Sequence, residues 1–215
     1  MTLKKNDNGF TLVEILVAMV VSGLVLSGIY STYQSQQRSY ILQEEIAQVQ
    51  QNLRAAMYLL TRELRMAGFN PSGNAGAGIV TGEWTNTSLR LTKDDNGDGD
   101  VTDSGEDLTY SLYTAGGIQK LGRKNPATNQ PVAENIQELW FVFLDANNVE
   151  TAVLSNIRSV EVTLVARAGR PTTDFVNTFT YSNKSGTKTF GPYNDGYHRR
   201  VLSEQVNCRN LGLGS

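Results

Sequence analysis

The sequence predicts an α+β protein, in which a long N-terminal helix packs through its second half on an antiparallel β-sheet domain. Three observations carry this. The run Ile15 to Tyr33 is apolar, and no charged residue follows Glu14 until Arg38. Leu42, Ile46, Val49, Leu53, Met57, Leu60 and Leu64 then recur at steps of three and four, the stripe of an amphipathic helix. Gly68 and Pro71 stop that pattern, and turn-bounded alternating segments follow, the order expected of an α+β chain.

The first half of the helix is expected to span a membrane. Phe10 to Tyr33 would cover roughly 36 Å as a helix, enough for a hydrocarbon core of about 30 Å. Within Ile15 to Tyr30 only Ser22, Gly23, Ser27 and Gly28 interrupt the apolar character, and small residues suit close helix contact in lipid. The segment is longer than the core of a secretory signal peptide, and the small residue at a plausible boundary, Gly9, precedes it. Nothing breaks the helix between Tyr33 and the amphipathic stripe. One helix of roughly 55 residues, about 80–85 Å long, is therefore expected. The near-heptad spacing makes a coiled coil the competing use of the stripe. Packing on the following β domain is preferred, because a large apolar-patterned region needs a helix to cover it.

Residues 68–87 read as a glycine-rich loop. Strands are expected at Ser88 to Thr92, Leu108 to Tyr113 and Ile118 to Arg123, the last two joined through Ala115-Gly116-Gly117. Residues 124–132, with Pro126 and Pro131, read as a loop, and Val132 to Leu139 as a helical turn or a strand. Further strands are expected at Trp140 to Leu144, Ile157 to Ala166, Phe175 to Tyr181 and His198 to Val206, with a turn-rich stretch from Gly186 to Gly196 and a small-residue tail from Gly212.

The 215 residues carry 19 basic and 21 acidic side chains, a net charge of −2, which gives no nucleic-acid signature. The single cysteine, Cys208, and the single histidine, His198, fall short of a zinc set and suggest no nucleophilic site. Trp84, Trp140, Tyr193 and Tyr197 read as core aromatics rather than as a substrate pocket. The chain is expected not to be an enzyme.

Glu14 is the anomaly of the apolar segment. A charge within lipid costs on the order of 2–3 kcal/mol, less near a helix end, and is a functional hypothesis by default. The bland alternative is a first-turn Glu favoured by the helix dipole. The surrounding residues, Gly9-Phe10-Thr11-Leu12-Val13-Glu14 after a leader with Lys4 and Lys5, resemble the class III signal of type IV prepilins and type II secretion pseudopilins. The resemblance implies a pilin-like fold, cleavage after Gly9 by a prepilin peptidase, N-methylation of Phe10, and pairing of Glu14 with the N-terminal amine of a neighbouring subunit. It also implies an inner-membrane anchor with a periplasmic globular domain, later transfer into a pilus, and contacts with other pilin or minor pilin subunits and the assembly platform. Arg65-Met66-Ala67-Gly68-Phe69 and Tyr197-His198-Arg199-Arg200-Val201-Leu202, with Arg209 to Gly212, are similar to PilW-type minor pilins. The domain plan on this reading is a leader over 1–9, a membrane and assembly helix over 10–33, its amphipathic continuation over 34–67, and a β-rich domain over 68–215. The function implied is a minor pilin acting in pilus assembly or initiation. The alternatives are a GspJ-like minor pseudopilin, which shares the leader, and an unprocessed single-pass binding module or adhesin.

A second motif lies in the acidic loop 94–107. Asp94, Asn96 and Asp98 occupy positions 1, 3 and 5 of a calcium loop, Gly99 the sharp turn at position 6, Asp100 position 7 through its carbonyl, and Val101 the apolar position 8. The pattern departs at position 12, which is Gly105, with Glu106 one residue late. Glu106, Asp103 or Asp107 is expected to close a structural calcium site. In this the loop resembles those pilin-like and pseudopilin subunits that use calcium to hold loops of the globular domain. A solvated acidic turn is the competing reading.

Overall fold

The computed structural model describes residues 9–125 and 128–211. The expectations on the leader positions 1–8, on Pro126 and on the tail from Gly212 lie outside the described residues. The chain divides into two compact units, residues 1–44 and 45–215.

Helix α1 runs from Leu12 to Met66. In the first unit its apolar side chains are exposed throughout, from Leu12 to Ile41. This part of α1 is long and apolar enough to cross a membrane, and none of its apolar window is buried within the protein. In the second unit the same helix buries Val49, Leu53, Ala56, Met57, Leu60, Glu63 and Leu64. The apolar members of this set form one core with the β-strands, so the stripe covers a sheet.

The strands make two main antiparallel sheets. The first contains β1 (Ile79–Trp84), β2 (Ser88–Thr92), β3 (Asp107–Ala115), β4 (Ile118–Asn125) and β5 (Thr128–Glu134) in chain order. The second contains β6 (Ile136–Leu144), β7 (Ser159–Arg167) and the later strand Arg199–Asn207, with β7 in the centre. A small hairpin pairs β8 (Tyr181–Ser182) with β9 (Thr189–Phe190), which makes Arg199–Asn207 β10. Asn86 ties the sheets together: its carbonyl accepts from Phe141 N–H at 2.7 Å, and its side-chain amide donates to Phe141 O at 2.8 Å. Trp84 meets Phe143 edge to face, with 4.5 Å between ring centroids.

Three expectations are corrected. Residues 79–84 are a strand rather than loop; Gly82 lies within an irregularity of the β1–β2 register, so the glycine marks a bulge and not a break. Residues 128–134 are also a strand. Pro131 is accommodated there because β5 is an edge strand, paired on one side only. Phe175 to Thr180 is irregular, and the strand begins at Tyr181. Asn177 explains this: its backbone bonds Asp195 and Asn194, and its side chain accepts from Phe179 N–H and donates to Tyr197 O. Those bonds satisfy the backbone groups that a ladder would otherwise take.

Two polar clusters fasten the second unit. On β10, Arg199 is fully buried and forms a bidentate pair with Asp195 at 2.5 and 2.6 Å. Its Nε donates to Gln137 Oε1 at 2.7 Å, and its guanidinium lies 3.9 Å from the centre of the Tyr193 ring. This clamps the 191–198 segment onto β6 and β10. On α1, the buried carboxylate of Glu63 faces Arg62 at 3.0 Å, Lys93 at 3.7 Å and Arg123 at 3.8 Å. Helix and first sheet are thereby joined by charge as well as by apolar packing.

Gly68 ends α1 in the left-handed region, at φ +79°. Its N–H donates to Thr92 O at 3.0 Å, and the Asn210 amide donates to Arg65 O at 3.3 Å. A Cβ at Gly68 would lie 3.0 Å from Leu211 Cδ2 and 3.2 Å from Asn210 O. Gly68→Ala is expected to lower the unfolding free energy by about 2 kcal/mol, from left-handed strain plus the crowded contact. Urea unfolding followed by circular dichroism measures it, and an unchanged midpoint would contradict this account of the helix stop.

Candidate functional site

The N-terminal site is built on the first turn of α1. Gly9 and Phe10 precede the helix and are exposed, Phe10 at 86%. Thr11 is the N-cap. Its backbone N–H and its hydroxyl donate to Glu14 Oε2 at 2.8 and 2.9 Å, while Glu14 N–H donates to Thr11 Oγ1 at 3.3 Å. This is a capping box, in which two otherwise orphaned donors of the helix end are satisfied reciprocally. Glu14 therefore has a local partner. The Thr11-x-x-Glu14 spacing that announces it is present in the sequence.

The acidic loop lies between β2 and β3 and is anchored at both ends. Lys93 N–H donates to Glu106 O, and Asp94 N–H to Phe69 O, just past the end of α1. Asp94 is fully buried. Its Oδ1 accepts from Gly97 N–H at 2.7 Å, and its Oδ2 accepts from Ser72 Oγ at 2.6 Å and Gly99 N–H at 3.3 Å. The Ser72 hydroxyl, helped by these N–H groups, holds the Asp94 carboxyl below the usual carboxylate range. Gly99, at φ +93°, makes the sharp turn that a side chain would oppose.

The other candidate ligands divide. Asn96 Nδ2 donates both to Asp98 Oδ2 at 3.0 Å and to Asp103 Oδ2 at 2.7 Å, drawing the two carboxylates to one point. Glu106 Oε1 accepts from Asp95 N–H at 2.8 Å and from Asn96 N–H at 3.4 Å, so its side chain folds back against the start of the loop. The Asp100 carboxylate is engaged by Thr102 N–H and hydroxyl, both at 2.8 Å, which also lowers its pKa. Asp107 does not face the loop: Arg90 takes both its oxygens, at 2.8 and 2.6 Å. That removes it as a closing ligand. Among the described residues, no three carboxylate, imidazole or thiol groups stand together as a ready-made metal cage. Ser72 carries no local signal in the sequence, because 22 positions separate it from Asp94.

Cys208 and His198 have structural surroundings. Burial pushes the Cys208 thiol up to about 12, so it stays protonated. His198 stacks on Phe175 with 3.8 Å between ring centroids, and burial lowers its pKa.

Comparison with known proteins bears on these sites. The prokaryotic N-terminal methylation motif matches residues 4–30, the segment that contains Gly9, Phe10 and Glu14. The family model described as prepilin peptidase-dependent protein B matches residues 42–182, well over half of the chain. The chain belongs to the prepilin peptidase-dependent protein B family. The two matches fall on either side of residues 31–41, one on the anchor and one on the remainder of α1 with most of the strands. The protein is thus a type IV prepilin-like chain. Among solved structures it is similar to a type IV-like pilin from Thermus thermophilus, at 16% identity and a TM-score of 0.46, over 75% of this chain and 97% of that one. No curated protein matches it.

Proposed function

We propose that this prepilin peptidase-dependent protein B family member is a minor pilin of a type IV pilus. The observation that carries the reading is the methylation motif laid over an exposed apolar helix whose first turn holds an acidic side chain. The peptidase cuts after Gly9, and Phe10 becomes the methylated N-terminus. The first half of α1 holds the subunit in the inner membrane, with the β-rich domain in the periplasm. On entry into the fibre, the same apolar surface exchanges lipid for the helices of neighbouring subunits, and Glu14 sets the axial position by pairing with a neighbour's N-terminal amine. Such pairing offsets the cost of a carboxylate in an apolar surrounding. The PilW-like residues around Gly68 and Arg199 favour a minor pilin over a major one; a minor pseudopilin of a type II secretion system, which shares the leader, is the alternative reading. The protein acts by assembly, and its work is not catalytic.

The intact mass of the protein extracted from membranes tests the processing step. Loss of residues 1–9 with addition of one methyl group is expected. A chain that retains the leader and an unmethylated terminus would overturn the pilin reading in favour of a single-pass anchored module.

A further inference from the structure

We propose that the loop from Asp94 to Glu106 binds one calcium ion, through the side chains of Asp94, Asn96, Asp98 and Glu106 and the Asp100 carbonyl, with Asp103 as a further carboxylate. The decisive observation is at Glu106. This side chain is 2% exposed, and while Oε1 is held by Asp95 and Asn96 N–H groups, Oε2 is buried without any hydrogen-bond partner. A buried carboxylate oxygen with no donor is costly, and native proteins rarely leave one so. The two N–H groups fix this carboxylate against the first turn of the loop, beside Asn96. A cation there supplies the missing partner.

Three further features fit. Asp98 and Asp103 converge on the Asn96 amide, whose two N–H groups serve one carboxylate each, so two negative groups are held together by one neutral group where a divalent ion is a far stronger counter-charge. Asp94 is buried and oriented by Ser72, Gly97 and Gly99, which makes the first ligand rigid. Asp95, by contrast, is turned to Lys93 at 3.3 Å and stays out of the set. The donors are all oxygens, they include an amide and a main-chain carbonyl, and they sit on an irregular loop. That suits calcium, which accepts six to eight oxygens at about 2.3–2.6 Å in flexible geometry, better than magnesium, which demands a tight octahedron. Because Asp94 also bonds Ser72 and Phe69, the ion fastens the segment after α1 to the β2–β3 connection. The inference concerns the globular unit and stands whether or not the chain enters a pilus.

The test uses the full chain in detergent micelles, stripped with a chelator and titrated calorimetrically with calcium chloride and, separately, magnesium chloride. One equivalent of calcium is expected to bind, and at a hundredfold excess over Kd the Tm is expected to rise by roughly 5–10 °C. Asp98→Asn, which keeps the size of an exposed side chain and an oxygen that can still accept from Asp100 N–H, is expected to weaken calcium binding at least about tenfold, and Glu106→Gln to do the same. No heat and no rise in Tm for the wild-type chain would overturn the site. An equal response to magnesium would overturn its assignment to calcium. Unchanged affinity in Asp98→Asn would overturn the ligand set.

Discussion

Asp195→Asn is expected to lower the unfolding free energy by about 3 kcal/mol, the range found when one member of a buried ion pair is removed. The reason is the asymmetry of the pair. The Arg199 side chain is fully buried, whereas Asp195 keeps 35% of its side-chain surface. Neutralising Asp195 strands a guanidinium that has no water to turn to, and sets an amide N–H₂ against its donors. Arg199→Met instead leaves a carboxylate that solvent can reach, and Met fills part of the volume over Tyr193. The smaller loss is therefore expected for Arg199→Met, and the double variant should be more stable than Asp195→Asn alone. Urea unfolding of the full chain in micelles gives all three values. Equal losses in the two single variants would show that the pair is not asymmetric.

The same pair sets an acid dependence. Arg199 holds the Asp195 carboxyl below its usual range. A carboxyl depressed in the folded state contributes stability that is present above the unfolded value of about 3.9 and is lost as pH falls through the folded value. The difference between the wild-type chain and Asp195→Asn should accordingly narrow as the pH is taken below about 4.

The second large effect is expected at the anchor. Glu14→Ala should reduce the amount of subunit recovered in fibres by on the order of tenfold or more, since relief of a carboxylate in lipid is worth about 2–3 kcal/mol. Leader cleavage and methylation, read by intact mass, should continue. Because Glu14 also closes the capping box with Thr11, a control is needed: Thr11→Ala removes the cap hydroxyl but keeps the carboxylate. It should enter fibres at near the wild-type level. If both variants fail equally, the cap and not the charge is what assembly requires, and normal entry of Glu14→Ala would discard the pairing step.

What could be read from the chain follows the range of the interactions involved. The long helix was legible because its signals repeat every turn, first as an unbroken apolar run and then as a stripe ending at Gly68. Strands β2, β3 and β4 were legible because alternation and a Gly-Gly turn are local. Strands β1 and β5 were hidden by residues that break strands in general, Gly82 and Pro131, which are admitted here by a bulge and an edge. The segment from Phe175 reads as a strand by composition, yet Asn177 hands its backbone to Asp195 and Asn194. The order of the acidic residues announced a loop of particular chemistry. It could not announce Ser72 on Asp94, or Arg90 on Asp107, since each partner arrives from another element.

The hydrogen bond from Asn210 to Arg65 spans 145 positions of sequence, and Leu211 packs over Gly68 beside it. The end of α1 is thus finished by residues synthesised long after it. The Glu63, Leu64 and Met66 carbonyls accept at once from Ala67 and Phe69 N–H groups, but the Arg65 carbonyl has no such partner until the residues that follow β10 have been made. Contacts of this separation carry a large loop-closure cost and form late. The β-rich unit therefore completes its folding only once its last strand is made, and the end of α1 is finished with it.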